Sequence, residues 1–152
     1  MEGGESILAD SFYAADVMKK RHPEYFKVLK SVKIQYKYEN DGRHFEFARP
    51  IFSEVDGEIS VFYSPYFQGI IEIEQGEAES FYSALATFSS IVNSPENVWK
   101  FKLKPGDLII FNNRRVLHAR EAFKTQGARH LKGCYVEYDD FLSTRRMSSA
   151  LK

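Results

Sequence analysis

The sequence holds a single cysteine, Cys134, in 152 residues. One thiol excludes an internal disulfide and a cysteine-only metal site, so a reducing compartment is the default expectation. Net charge is also missing, with 21 Lys+Arg against 21 Asp+Glu. A dedicated nucleic-acid binder needs a basic excess to neutralise phosphates, so no nucleic-acid partner is expected. No apolar run approaches the ~20 residues of a membrane span. The opening Met1-Glu2-Gly3-Gly4-Glu5-Ser6 is neither a basic-plus-apolar signal nor an Arg-rich transit peptide. What is there suits one compact domain, two at most: 43% hydrophobic residues and 15% aromatics. The expectation is a soluble cytoplasmic enzyme or binder, without repeats or low-complexity tracts.

Charge is unevenly distributed. Ser53 to Glu79 holds seven acids and no Lys or Arg, whereas from Lys100 onward there are 12 basic residues against five acidic ones. Two solvated faces explain this most simply; a basic site for a carboxylate ligand in the C-terminal half is the sharper reading.

The pattern predicts a helix from Asp10 to Ser31, interrupted at His22-Pro23 and capped by Asp10 or Ser11. Val32–Tyr38 alternates as a strand, and Asn40-Asp41-Gly42 marks a turn. His44–Phe52 and Glu58–Tyr63 read as strands around a turn at Asp56-Gly57, and Gly76–Val92 as a helix with Phe81, Leu85, Phe88 and Val92 on one stripe. Trp99–Leu103, Leu108–Phe111 and His130–Tyr138 read as strands, the second buried, with a tight turn at Pro105-Gly106-Asp107. Asp139–Ala150 reads as a terminal helix. Short strands outnumber helices, so the expected class is mainly β, a sandwich or barrel with flanking helices.

The chemistry concentrates between Asp107 and Asp140. A hairpin closed at Phe123–Gly127 would set His118 opposite Arg129, with Leu131, Gly133 and Tyr135 on the same face as Arg129. Imidazole suits a transition metal, guanidinium a carboxylate, and a tyrosine face a quaternary ammonium. Each also has a plain reading as a structural histidine, a surface ion pair or a half-buried packing ring. Cys134 alternates to the face opposite Tyr135, which favours buried packing over redox chemistry.

The run Phe111-Asn112-Asn113-Arg114-Arg115-Val116-Leu117-His118-Ala119-Arg120 resembles the "DNWRxLHGR" segment of the γ-butyrobetaine and trimethyllysine dioxygenases, which are TauD-like. Arg129-His130-Leu131-Lys132-Gly133-Cys134-Tyr135 resembles their "RHLxGxY" strand, and Lys104-Pro105-Gly106-Asp107 their "xPGD" turn. Gly3-Gly4-Glu5-Ser6 with Asp10-Ser11-Phe12 is similar to the start of a family helix. The resemblance implies that His118 ligates Fe(II), that Arg129 binds the far carboxylate of the co-substrate 2-oxoglutarate, and that Tyr135 helps to cage a trimethylammonium group. It implies a hydroxylase of a small molecule such as γ-butyrobetaine, as in carnitine biosynthesis, on a double-stranded β-helix (jelly roll).

The sequence departs from the family in one large respect. Iron of this type takes two histidines and a carboxylate, and the family's His-x-Asp motif occurs nowhere here. The replacements on offer are His44/Glu46, which share a face if on a strand, and His22/Glu24, which lie at a helix junction. The expectation is that residues 1–152 are the C-terminal portion of the domain, a partial jelly roll lacking its first strands. Such a chain would be inactive by itself, a possible homodimer or partner of the missing N-terminal portion, and mitochondrial if that portion carries a leader. A non-catalytic binding or interaction module is the alternative. Asn112 for Asp, Arg114 for Trp and Ala119 for Gly are smaller departures, and Ser64–Gln68 replaces an Asn-rich stretch tied to substrate recognition.

Overall fold

The computed structural model describes residues 3–55, 57–69, 71, 73–124 and 130–150. The Asp10 carboxylate caps α1 (Ser11–Arg21), accepting from the amides of Phe12 at 2.9 Å and Tyr13 at 3.3 Å. Lys19, Lys20 and Arg21 sit in its last turn, where cations complement the helix dipole. His22 ends α1, and Pro23, having no amide hydrogen to lose, opens α2 (Pro23–Ser31). Helix α3 (Gln75–Val92) buries Phe81, Ala84, Phe88 and Val92 at helical spacing. Phe88 meets Phe52 edge-on at 4.9 Å, and Phe52 stacks on Phe26 at 4.7 Å. Met18, Leu29, Ile34 and Ile51 complete this core.

Two hairpins lie between α2 and α3. Strands β2 (Ile34–Asn40) and β3 (Arg43–Arg49) join through Asp41 and Gly42, both at positive φ (51° and 74°), as a two-residue hairpin turn of matching twist requires. The strand expected over His44–Phe52 breaks at Pro50, whose missing amide cannot continue a ladder. It resumes as β4 (Phe52–Val55), paired with β5 (Glu58–Val61). A single 3-10 turn covers Pro65–Phe67.

The third sheet joins residues 6–10 to strands more than 85 residues further along the chain. Its central strand is β1 (Ser6–Asp10), flanked antiparallel by β6 (Val98–Phe101) and β7 (Val116–Arg120). Directly paired residues share a face. Ala9 pairs with both Val98 and Leu117, and these three pack toward the core. Leu8 pairs with Trp99 and His118, so these project to the opposite side, where Trp99 is 64% exposed. Helix α4 (Tyr138–Ala150) follows near the C-terminus.

The expected mainly β class becomes a mixed one: among the described residues the four α-helices hold more of the chain than the seven antiparallel strands. Leu108–Phe111 forms no strand and is not buried, with Leu108 81% and Ile110 84% exposed. His130–Tyr138 forms no strand either, and Cys134 is exposed rather than packed. Both segments have strand-like composition, but a strand exists only with a neighbour to complete its ladder, and none pairs with them among the described residues. Conversely, the five residues of β1 carry too short a pattern to be read as a strand.

Candidate functional site

The outward face of the β6–β1–β7 sheet is ordered in rows. One row runs Trp99, Leu8, His118; the next, two residues along, runs Phe101, Ser6, Arg120. Rows on one face are ~7 Å apart along a strand, and neighbouring strands ~4.8 Å apart. Trp99 and Phe101 rings lie 4.4 Å apart, and the His118 ring is 5.3 Å from Phe111. The face thus presents an imidazole and a guanidinium on an apolar floor. No hydrogen bond or ion pair ties the imidazole to another described side chain.

A clamp before β7 fixes this geometry. Asn112 closes an Asx turn, its Oδ1 accepting from the Arg114 amide at 2.9 Å, while its carbonyl accepts from the amides of Arg115 (3.0 Å) and Val116 (2.9 Å). Buried Ser11 donates to the Arg115 carbonyl through its hydroxyl at 2.7 Å and its amide at 2.9 Å. The Arg115 guanidinium donates through both Nε and Nη2 to the Asp10 carboxylate, the same group that caps α1. Arg115 holds the Asp10 carboxyl below the usual carboxylate range, and the amides of Tyr13 and Phe12 add to this against partial burial. His118 therefore rides on a strand whose start is bolted to the β1–α1 junction. This clamp has no local signature, because its partners are 105 residues apart; only the Asp10-Ser11 cap was visible in the sequence.

The sequence-derived site residues are placed as follows. His118 lies mid-strand on the open face, paired with Leu8. Arg129 falls outside the described residues, as does most of the hairpin expected to oppose it to His118. Tyr135 is 87% exposed, in a segment without assigned secondary structure. His44 and Glu46 do share a face of β3, with Nε2 and Oε2 at 3.3 Å, but both are exposed and Glu39 stands on the imidazole's other side. His22 stacks on Tyr25 at the α1–α2 junction. Among the described residues no three His, Cys, Asp or Glu side chains gather as a metal site. Asp10, two residues from Leu8, is committed to Arg115 and the helix cap. A cavity of about 760 Å³ lies elsewhere, lined by Ser31, Lys33, Gln35, Ala48, Ile73 and Glu77.

Solved structures share this fold. A Burkholderia xenovorans protein described as an alpha-ketoglutarate-dependent taurine dioxygenase superposes with a TM-score of 0.60 over 78% of this chain and 42% of its own, at 19% identity. A second from that organism, described as an alpha-ketoglutarate-dependent 2,4-D dioxygenase, gives 0.58 over 78% and 50%, at 18% identity. The chain belongs to the taurine catabolism dioxygenase TauD, TfdA family, whose sequence profile matches residues 1–135. Among curated relatives, dioxygenase str8 of Strobilurus tenacellus is 37% identical over 97% of this chain and 37% of its own length. The mitochondrial trimethyllysine dioxygenase of Bos taurus is 34% identical over 95% and 36%, and the human gamma-butyrobetaine dioxygenase 30% over 95% and 40%. The chain thus spans well under half the length of these relatives. Among the described residues no helix is long and apolar enough to cross a membrane.

Proposed function

We propose that this chain is the C-terminal portion of an Fe(II)/2-oxoglutarate-dependent dioxygenase that hydroxylates a small trimethylammonium amino-acid-like substrate, γ-butyrobetaine or a similar compound. The observation that carries the reading is His118, held in register on the open face of the sheet by the Asp10–Arg115 clamp. Family membership and the named relatives support the reaction class. In this reading residues 1–152 are the C-terminal portion of the domain, and the β6–β1–β7 sheet is one wall of a partial jelly roll that lacks its first strands.

The described residues do not hold iron by themselves. The metal needs two histidines and a carboxylate, and here one imidazole faces out with no further ligand gathered beside it. His118 supplies one ligand, and the other two come from outside the described residues. When bound, iron and 2-oxoglutarate would use dioxygen to hydroxylate a C–H bond, one oxygen atom going to the substrate and the other to the succinate formed as 2-oxoglutarate loses carbon dioxide. This chain's residues bind and orient: Arg129 takes a carboxylate of 2-oxoglutarate through its planar fork, and Tyr135 offers a ring face to the trimethylammonium group. The compartment in this reading is the cytoplasm, or the mitochondrion as in the trimethyllysine dioxygenase relatives.

The test mixes the chain with a polypeptide carrying the His-x-Asp segment of the bovine trimethyllysine dioxygenase and follows succinate formed from 2-oxoglutarate with γ-butyrobetaine or trimethyllysine present. Neither half alone is expected to turn over. Turnover of the mixture should vanish in His118→Ala and Arg129→Ala, and its dependence on the trimethylammonium compound should weaken in Tyr135→Ala. Turnover that survives His118→Ala rejects the reading. A second reading, a non-catalytic binder of acids, is favoured by the lack of a metal cluster among the described residues. Acid binding by a mixture that never forms succinate would select it.

A further inference from the structure

We infer that Arg120 is a carboxylate-binding residue of the same sheet face as His118, an inference that deepens the reading above. Arg120 closes β7 two residues after His118, so the two side chains leave the strand on one face about 7 Å apart. Its guanidinium lies against the ring of Phe123, with Cζ 3.8 Å from the ring centroid. Stacking occupies the flat face of a guanidinium and leaves its in-plane N–H donors free to grip two oxygens.

The other wall of this slot is a glycine. Gly4 has φ +75°, and a Cβ there would stand 3.3 Å from Arg120 Nη2 and 3.3 Å from Phe123 Cβ. The backbone thus yields the space that the guanidinium uses. No carboxylate pairs with Arg120 among the described residues, although other cations of this sheet have partners: Arg115 with Asp10, Lys100 with Glu121. Glu121, next to Arg120 in sequence, and Glu5, next to its cross-strand partner Ser6, alternate to the opposite face, where Lys100 takes Glu121. Ser6, directly opposite Arg120, adds a hydroxyl on the same row. A preformed, stacked guanidinium, unpaired among the described residues and beside a hydroxyl, is suited to a carboxylate ligand. That carboxylate belongs either to the 2-oxo acid or to the substrate.

Trp99, the only tryptophan of the chain, lies on the row of His118 and reports binding by fluorescence. The 152-residue chain is titrated in chelator, so that no metal contributes, with 2-oxoglutarate, succinate, succinamide and γ-butyrobetaine. Saturable binding of at least one acid, and not of the neutral diamide, is expected. Arg120→Ala should weaken it about tenfold or more, and Arg120→Lys should restore part of it, as expected when a charge-assisted bond is lost and a point charge returned. Circular dichroism checks that both variants fold. Arg120 dependence confined to 2-oxoglutarate and succinate assigns the slot to the co-substrate; dependence confined to γ-butyrobetaine assigns it to the substrate. Absence of saturable binding, or binding unchanged in a folded Arg120→Ala, overturns the inference. Because chelator is present throughout, failure here leaves the iron assignment of His118 untouched, and failure of that assignment leaves this result standing.

Discussion

Asp10 does three jobs with one carboxylate: it caps α1, it accepts the fork of Arg115, and its residue ends the central strand. Asp10→Ala should cost roughly 1–2 kcal/mol, the sum of a lost cap and a partly exposed ion pair, measured by urea unfolding at pH 7. The pH dependence has a defined sign. Arg115 lowers the folded-state pKa of Asp10, so its stabilisation is complete above the unfolded carboxylate value near ~4 and fades as pH falls through the lower folded one. Asp10→Asn keeps most of the cap and should flatten stability against pH on the acid side. The cap was legible in the sequence, since Asp-Ser before an apolar run is a local signal. The Arg115 pairing was not, since nothing near Arg115 in sequence names its partner.

Elements divide by how local their causes are. Helices α1 to α4, the break at His22-Pro23 and the turn at Asp41-Gly42 lie close to where the pattern puts them, because caps, stripes and turn residues act within a few positions. The stripe of α3 makes Phe88 a core contact, and Phe88→Ala should cost about 3–5 kcal/mol in chemical unfolding. Strands need partners from elsewhere, which is why β1 has no local signature and why Leu108–Phe111 and His130–Tyr138, strand-like in composition, form none. Tyr36, on β2, carries an element-scale prediction. It is 1% exposed and its hydroxyl donates to the Phe62 carbonyl at 3.3 Å. Burial pushes its pKa up to about 12. The folded state therefore holds this proton more tightly, and stability falls as pH rises from the unfolded value near ~10 toward about 12. Tyr36→Phe should remove that alkaline loss while costing about 1 kcal/mol near neutral pH.

At the scale of the whole molecule, one sheet has two unlike sides. One side closes over Ala9, Leu117 and Val98; on the other Trp99 is 64% exposed with Leu8 and Phe101 half-buried beside it, and the loop before β7 adds exposed Leu108 and Ile110. Apolar surface of this kind draws partners. Light scattering should find the chain self-associating, and Trp99→Lys combined with Ile110→Lys should lower its apparent mass; a monomer at all concentrations would count against an uncovered face. The resemblance to oxygenases was legible because the stretch around His118 is a contiguous motif. The pocket was not, because a pocket is made by whatever lies across from that face.

The assignment of His118 is tested most directly by NMR of the four histidine imidazoles of this chain, isotope-labelled and mixed with the His-x-Asp polypeptide, as Mn(II) is added in the presence of 2-oxoglutarate. The His118 signals should broaden first, ahead of His22, His44 and His130, and the effect on the others should be unchanged in His118→Ala. Broadening of His44 at Mn(II) concentrations that leave His118 sharp would contradict it.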